Sequence, residues 1–310
     1  MKIWRGINNI RRLDGAVATI GVFDGVHMGH RAVIKKVVDR ARSIGARSVV
    51  VTFDPHPAKV LGKRHAPSLI SLEHRLRLTE ELGVDVVVVL SFTKDLARYS
   101  PEKFVEKVLA KGLGAREVYV GENFYFGRGG LASARRMKSI AAASSISVAA
   151  VPSVMVGGRA ASSSLVRALI LSGSIAKARR VLGRPVAVLG TVVAGSRLAR
   201  SLGYPTANIN PHHEVIPPMG VYAVRVLYGG RQYGGVLNIG WKPTFFSPRD
   251  REPTVEAHIF GFKRKIYGKN LEILFVKKIR DEARFRDMFT LAKQIRRDAA
   301  AARQILKSAR

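Results

Sequence analysis

The chain runs to 310 residues, 47% of them apolar, enough for two domains with cores of their own. It has no cysteine, which excludes disulfides, thiolate metal sites and a cysteine nucleophile. Its 53 basic and 22 acidic residues leave a formal charge of +31, a field that draws polyanions. No run approaches the ~20 apolar residues of a membrane span. The opening Met1-Lys2-Ile3-Trp4-Arg5 lacks the apolar stretch of a secretory signal. A soluble cytoplasmic protein with no membrane partner is expected. The basic residues are scattered along the chain, neither gathered in a tail nor interleaved with aromatics. Salt-sensitive, non-specific nucleic-acid binding is therefore expected, with no specific nucleic-acid partner.

The first apolar run, Ala16 to Ile20, reads as a buried strand. Arg31 to Ser43 reads as a helix, with Val33, Ile34, Val37, Val38 and Ala41 at helical spacing. The stretch between them holds Gly21, Gly25, Gly29, His27 and His30. Glycine lets a backbone approach a ligand with no Cβ in the way. A helix opening just after aims free N–H groups and a positive dipole end at that ligand, so the implied anion is a phosphate. The imidazoles of His27 and His30 add donors for a phosphoryl oxygen. The spacing is neither the dinucleotide fingerprint nor the P-loop. A zinc site using His56 as third ligand is not expected, because both cysteine and an H-E-x-x-H pattern are missing.

Ser48 to Phe53 and Val84 to Leu90 are the next strands by length and β-branching, with shorter candidates at Glu117 to Val120 and Ser147 to Val151. Helices are expected over Ser71 to Leu82, Pro101 to Lys111 and Leu131 to Ala143. The second opens on Ser100 as cap and Pro101 at the first helical position. This alternation predicts an α/β domain: a parallel sheet covered on both faces, binding ligands at the carboxyl ends of its strands. Thr52-Phe53-Asp54-Pro55-His56-Pro57 lies at one such end. Composition alone leaves it open between a rigid turn and a wall facing a ring or a phosphate. Val120 to Gly127 lies at another, where Phe124 and Phe126 also suit an aromatic core cluster. Ser162 to Arg167 opens a helix to about Leu171, its serines suiting ordinary caps.

Leu182-Gly183-Arg184-Pro185 marks a boundary. Beyond it come short strands: Val186 to Val193, Val221 to Leu227, Gln232 to Ile239, Thr254 to Ile259 and Leu271 to Lys278. Helical spacing returns near Glu282, with Phe285, Met288, Phe289, Ala292 and Ile295 on one face. A small antiparallel β-barrel with one closing helix is expected. Thr206 and Asn208, two apart, offer oxygens suited to Mg²⁺ held with ATP phosphates, although Pro205 to Asn208 alone also suits a turn. Along Thr254 to Ile259, Glu256 and His258 face the opposite side from Val255 and Ile259. Glu256 there reads either as a general base or as a solvent-facing carboxylate.

These stretches together resemble the bacterial bifunctional riboflavin kinase/FMN adenylyltransferase family, over nearly the whole chain and in the family's domain order. Gly21 to His30 is similar to its G-x-F-D-G-x-H-x-G-H, a long form of the nucleotidyltransferase (H/T)-x-G-H signature. Thr52 to Pro57 resembles T-F-x-P-H-P, Val120 to Gly127 resembles V-G-x-[DN]-F-x-F-G, and Ser162 to Arg167 resembles S-S-T-x-I-R. In the second half Pro205 to Asn208 resembles the kinase P-T-A-N motif. It is accompanied by Gly195, Gly220-Val221-Tyr222, Asn238 to Thr244, Glu256 and Tyr267-Gly268. Arg280-Asp281-Glu282, read as the opening of the last helix, resembles an element near the flavin site.

The resemblance implies a Rossmann-like FMN adenylyltransferase domain over residues 1–184 and a riboflavin kinase barrel over 185–310. Its substrates would be riboflavin, FMN and ATP, with Mg²⁺ as cofactor. His27 and His30 would be catalytic in adenylyl transfer. Gly21, Phe23, Asp24, Gly25, Gly29, Asn123, Ser163, Ser164 and Arg167 would meet the nucleotide, and Gly195 would meet it in the kinase. Phe53, Pro55, His56, Pro57 and Phe124 would line the flavin. Thr206 and Asn208 would hold the metal, and Glu256 would be the kinase base. The chain departs from the family at Ser164 (usually threonine), Leu165 (usually arginine), Ala199 (usually glycine) and the loose Arg128-Gly129-Gly130. The lost cation at Leu165 motivates a kinase-only alternative. The charge motivates a second alternative, a basic nucleic-acid-binding protein on the same fold.

Overall fold

The computed structural model describes residues 1–13, 15–62, 67–195, 202–212, 215–241 and 253–309. Ala199 and the 242–244 part of the kinase motif lie outside them. The chain divides into two compact units, Met1–Ser68 with Leu72–Ser163, and Leu69–Ser71 with Ser164–Arg310.

The first unit is a parallel six-stranded sheet: β1 (Lys2–Arg5), β2 (Ala16–Ile20), β3 (Ser48–Asp54), β4 (Val86–Ser91), β5 (Ala115–Gly121) and β6 (Ser147–Val151). The spatial order is β1-β4-β3-β2-β5-β6. The order reverses at β2, between β3 and β5, which places the switch point of the sheet, where such folds bind ligands, at the carboxyl end of β2. Helices cover both faces. On one, Val37 and Ala41 of α1 (Met28–Ser43) pack against Val17. Leu72–Glu81 forms α2. On the other face, Ala16, Ala18 and Ile20 meet a helix and α4 (Ala134–Ala142). That helix is α3 (Pro101–Phe104), continued as a π-helix over Val105–Leu113. The expected cap is present, Lys103 N donating to Ser100 Oγ at 3.2 Å. The edge strand β1 was not predicted; its mostly exposed residues carry no period.

α1 starts at Met28, three residues before the expected Arg31. The backbone of His27 is extended (φ −72°, ψ 174°) and makes it the N-cap, so Gly29 and His30 stand in the first helical turn.

The second unit contains α5 (Ser163–Leu171) beyond its first residue, α6 (Ile175–Leu182) and a closed antiparallel barrel. The barrel strands are β7 (Ala187–Val193), β8 (Ala207–Pro211), β9 (Gly220–Tyr228), β10 (Arg231–Trp241), β11 (Pro253–Ile259) and β12 (Asn270–Arg280). They close in the order β7-β8-β11-β10-β9-β12. Val255, Ala257, Leu237, Ile239, Leu271 and Ile273 are buried. β8 was not predicted as a strand, since only Ile209 of its five residues is buried.

The last helix corrects two expectations. It begins at Met288, where Asp287 accepts from Thr290 N at 2.7 Å, and the segment 281–285 is not helical. Arg280-Asp281-Glu282 therefore ends a strand instead of opening the helix. The buried face of α7 (Met288–Ser308) is Asp298, Ala299 and Ala302, whereas Phe289 is 79% exposed. Ala302, with Ile305 and Leu306, lies over Val221, Ala223 and Val236 on the outer wall of the barrel. Arg280 holds the helix there with a two-pronged bond to Asp298 (2.8 Å at the shortest), which Gln294 completes. Small side chains let the helix approach closely, and the buried ion pair selects its rotation; periodicity alone shows neither.

Candidate functional site

Between β2 and α1 the chain must reverse over residues 21–27. Phe23 and Val26 adopt positive φ (52° and 40°), strained for residues with a Cβ. Their burial, at 4% and 0% exposure, offsets that strain. Gly25, at φ 82°, has no Cβ to oppose its turn. Gly21 lies over the Phe23 ring, where a Cβ would be 3.0 Å from Cζ. Phe23 packs edge-on against His30 at 5.2 Å. His30 stacks on His27 with ring centroids 3.7 Å apart. Gly29 closes the group: a Cβ there would be 3.2 Å from His27 Cε1 and 3.4 Å from the Ala161 carbonyl.

The Nδ1 atoms of both histidines are buried with no hydrogen-bond partner among the described residues. Burial pushes His27 down to about 4. Burial also holds His30 well below its usual value, helped by the charges of His27 and then Arg75. At neutral pH the site therefore holds two neutral imidazoles at a helix N-terminus, each with an Nδ1 that makes no hydrogen bond among the described residues. An arriving phosphate would favour the protonated forms.

A stability test follows from His27. In the unfolded chain it takes a proton near pH 6.5; in the fold it does so only near 4. Between those values the unfolded state binds more protons. Its contribution is therefore present above pH 6.5 and lost as pH falls towards 4, about 3 kcal/mol in all. Urea unfolding of the first unit at pH 7.5 and 4.5 should show a smaller acid loss in His27→Gln than in the native chain. Equal losses would place the proton uptake elsewhere.

The ends of β3 and β5 carry further candidates of the first unit. Ser163 Oγ, in the first unit, donates to the carbonyl of buried Asp24 at 2.8 Å. Beyond β3 the Asp54-Pro55 peptide is cis, and His56 Nδ1 accepts from Ala58 N at 3.1 Å, capping the short helix Pro57–Val60. Phe53 and Phe124 are both partly buried against the core of the sheet. Phe124 stacks on Phe126 at 5.7 Å, so the segment is in part the aromatic core cluster its composition allowed. Asn123 is exposed, its Nδ2 donating to Ser153 Oγ at 3.4 Å. Ser164 and Arg167 belong to the second unit, exposed and half-buried. Leu165 is buried at 7% exposure, so an apolar side chain is seated where the family usually has a cation.

On the barrel, strand register assembles a row from distant parts of the chain. Asn208 of β8 faces Glu256 of β11, which faces Asn238 of β10. The row continues through Val221 to Arg280. Facing residues share a side of the sheet. This is the outer side, which α7 covers at Val221. Gly195 lies so close to the Asn208 side-chain amide that a Cβ there would overlap it. Thr206 is half-buried just before β8, and the Pro205 carbonyl accepts from His258 Nδ1 at 2.9 Å. Glu282 accepts from Trp241 N at 3.1 Å and fills the space that a Gly240 side chain would need, next to Asn238. In sequence Glu282 reads as part of the opening of the last helix; the fold puts it beside the row.

Sequence reasoning also missed Arg75. It is 6% exposed on α2, and its Nη1 donates to the Val22 carbonyl at 2.6 Å and Thr52 Oγ1 at 2.9 Å. A helix pattern gives no signal for it, because arginine is read as the solvent face.

Known proteins resemble this chain in both halves. A family model for FAD synthetase matches residues 9–165, and one for riboflavin kinase matches residues 182–306. The bifunctional riboflavin kinase/FMN adenylyltransferase of Pseudomonas fluorescens is 36% identical, covering 98% of both chains. That of Bacillus subtilis is 34% identical over 91% of this chain and 90% of its own. A Streptococcus pneumoniae structure described as a macrolide-efflux protein shares the fold. Its TM-score is 0.86 at 27% identity, covering 98% of this chain and 99% of that one. Among the described residues no helix is long and apolar enough to cross a membrane.

Proposed function

The chain belongs to the bifunctional riboflavin kinase/FMN adenylyltransferase family, and we propose that the Gly21–His30 turn performs adenylyl transfer and the row around Glu256 performs the kinase step. The enzyme makes FMN from riboflavin and ATP, then FAD and pyrophosphate from FMN and a second ATP. A functional boundary between Arg184 and Pro185 is supported by the end of α6 at Leu182 and by the left-handed Gly183 (φ 68°) that stops it. A cytoplasmic location suits an enzyme that uses ATP twice.

In adenylyl transfer an oxygen of the FMN phosphate attacks the α-phosphorus of ATP, and pyrophosphate leaves. That phosphate is already an anion near neutral pH, its second pKa being about 6, so no base is needed. The demand is in-line placement and stabilisation of charge at the α-phosphate. The observation that carries the assignment is the pair of buried, neutral imidazoles with unpartnered Nδ1 atoms at the start of α1. Phe23 and Gly29 hold that pair in place. Asp24, Ser163, Ser164, Arg167 and Asn123 are assigned to the nucleotide, and Phe53, Pro55, His56, Pro57 and Phe124 to the flavin. Purified enzyme given riboflavin, ATP and Mg²⁺ should yield FAD; FMN alone would overturn the adenylyl-transfer assignment.

In the kinase step the riboflavin hydroxyl is a poor nucleophile and needs a base. Glu256 is assigned to take its proton as the γ-phosphoryl group is transferred and ADP leaves. The donors beside it, neutral oxygens of Thr206 and Asn208, suit Mg²⁺ carried with ATP phosphates. The ion would offset charge on the transferred phosphoryl group. The close fit of Gly195 against Asn208 gives a direct test. Gly195→Ala should displace the Asn208 amide and raise the kinase KM for MgATP by about tenfold, the cost of a small misplacement at a reacting site. FAD formation from supplied FMN should not change. An unaltered KM would remove Asn208 from the metal site.

A further inference from the structure

We propose that Arg75 is a positioning residue that locks the nucleotide edge of the first unit, the Gly21–His30 turn, to its flavin edge, the Phe53–Pro57 segment. The inference rests on the adenylyl-transfer reading above. The sheet holds the two edges together only up to the register pair Ile20 and Val51 and the bond from Gly21 N to the Val51 carbonyl at 3.0 Å. Beyond that point β2 runs into the turn while β3 continues, so the ladder no longer joins them. Arg75 takes over there. Its Nη1 donates to Val22 on one side (2.6 Å) and to Thr52 Oγ1 (2.9 Å) and the Phe53 carbonyl (3.2 Å) on the other. Thr52 Oγ1 also donates to the Val22 carbonyl at 3.2 Å, closing the bracket.

The charge follows the same pattern. Burial lowers the Arg75 pKa below its usual value, and Asp24 of the turn and Asp54 at the end of β3 oppose that shift, one from each edge. Packing alone would favour an apolar side chain at a site with 6% exposure, since burying a cation is costly. All three bonds leave one nitrogen, Nη1, at the tip of a side chain long enough to reach both segments from α2; the lysine ammonium lies one bond nearer the backbone and falls short of that point. Transfer requires the α-phosphorus and the FMN phosphate to be in line. A shift between the two edges therefore affects both substrates together.

The test measures kcat and KM for ATP and for FMN in full-length enzyme, with FMN formation from riboflavin as the control for an intact second unit. Arg75→Lys should lower kcat for FAD formation about tenfold or more and raise both KM values. Thr52→Val should move the same parameters less, with Thr52→Ser restoring them, and the Arg75→Lys/Thr52→Val pair should be non-additive. A change in only one KM, or in neither, would overturn the coupling. If Arg75→Lys unfolds the first unit, Thr52→Val and its rescue decide. A paired, rescued change supports the bracket, and unchanged KM values overturn it. Failure of the underlying site reading shows separately, as FAD formation that survives His30→Ala.

Discussion

His30→Ala is expected to slow FAD formation by about 100- to 1000-fold, the loss typical of removing one donor aimed at developing charge. FMN formation from riboflavin should continue at its original rate. His30 is buried between the His27 ring and the edge of Phe23, with its Nδ1 left without a partner among the described residues. A neutral imidazole held rigidly there has little reorganisation left to do as charge gathers on the α-phosphoryl oxygens. Desolvation by burial makes the interaction stronger than it would be in water. Alanine also leaves a cavity in the stack. His30→Gln is the companion variant: it fills more of the space and keeps a donor, so it should recover part of the rate. Chromatographic separation of riboflavin, FMN and FAD reads both steps in one reaction. Equal damage to FMN and FAD formation would show that the turn does not serve one step alone.

Glu256→Gln should produce the mirror image. Removing the base is worth about 100- to 10,000-fold in phosphorylation of riboflavin. FAD formation from supplied FMN should be unaffected. Glutamine preserves the shape of the side chain, and residues on either side of position 256 are buried in the barrel wall, so the strand should keep its register. The change then tests charge and proton acceptance rather than folding. A Glu256→Gln enzyme that still makes FMN at the native rate would leave Glu256 as a bystander between Asn208 and Asn238. The alternative carboxylate to try would be Glu282, which the fold brings to Gly240 and Trp241 beside the same row.

The candidate stretches were legible because each is short and contiguous. The residue types of the turn after β2 suit a phosphate, those after β3 suit a ring, a phosphate or a rigid turn, and those of Pro205–Asn208 suit a metal or a turn. The strands of the first sheet were legible because buried parallel strands are unbroken apolar runs, such as Ser48–Asp54 and Val86–Ser91. β8 was not, because a strand whose outer face carries Asn208 and Asn210 has too little apolar content to announce itself. The closing helix was placed too early and turned wrongly. The apolar pattern of Phe285, Met288 and Phe289 competed with the Asp287 cap and the Arg280–Asp298 pair, and the latter two prevail in the fold.

The amino-acid sequence by itself determined the two-part architecture, through hydrophobic period and turn chemistry that act over a few residues. The resemblance of its motifs to a known family implied the reaction classes and named the residues to test. Tertiary structure alone decided which of those residues meet and in what charge state. Asn208, Glu256 and Asn238 become neighbours through strand register, and His27 and His30 become neutral through burial. Arg75 becomes a bracket between two strands because α2 turns it inward. Register and desolvation are sums over contacts from the whole chain, and no local window contains them.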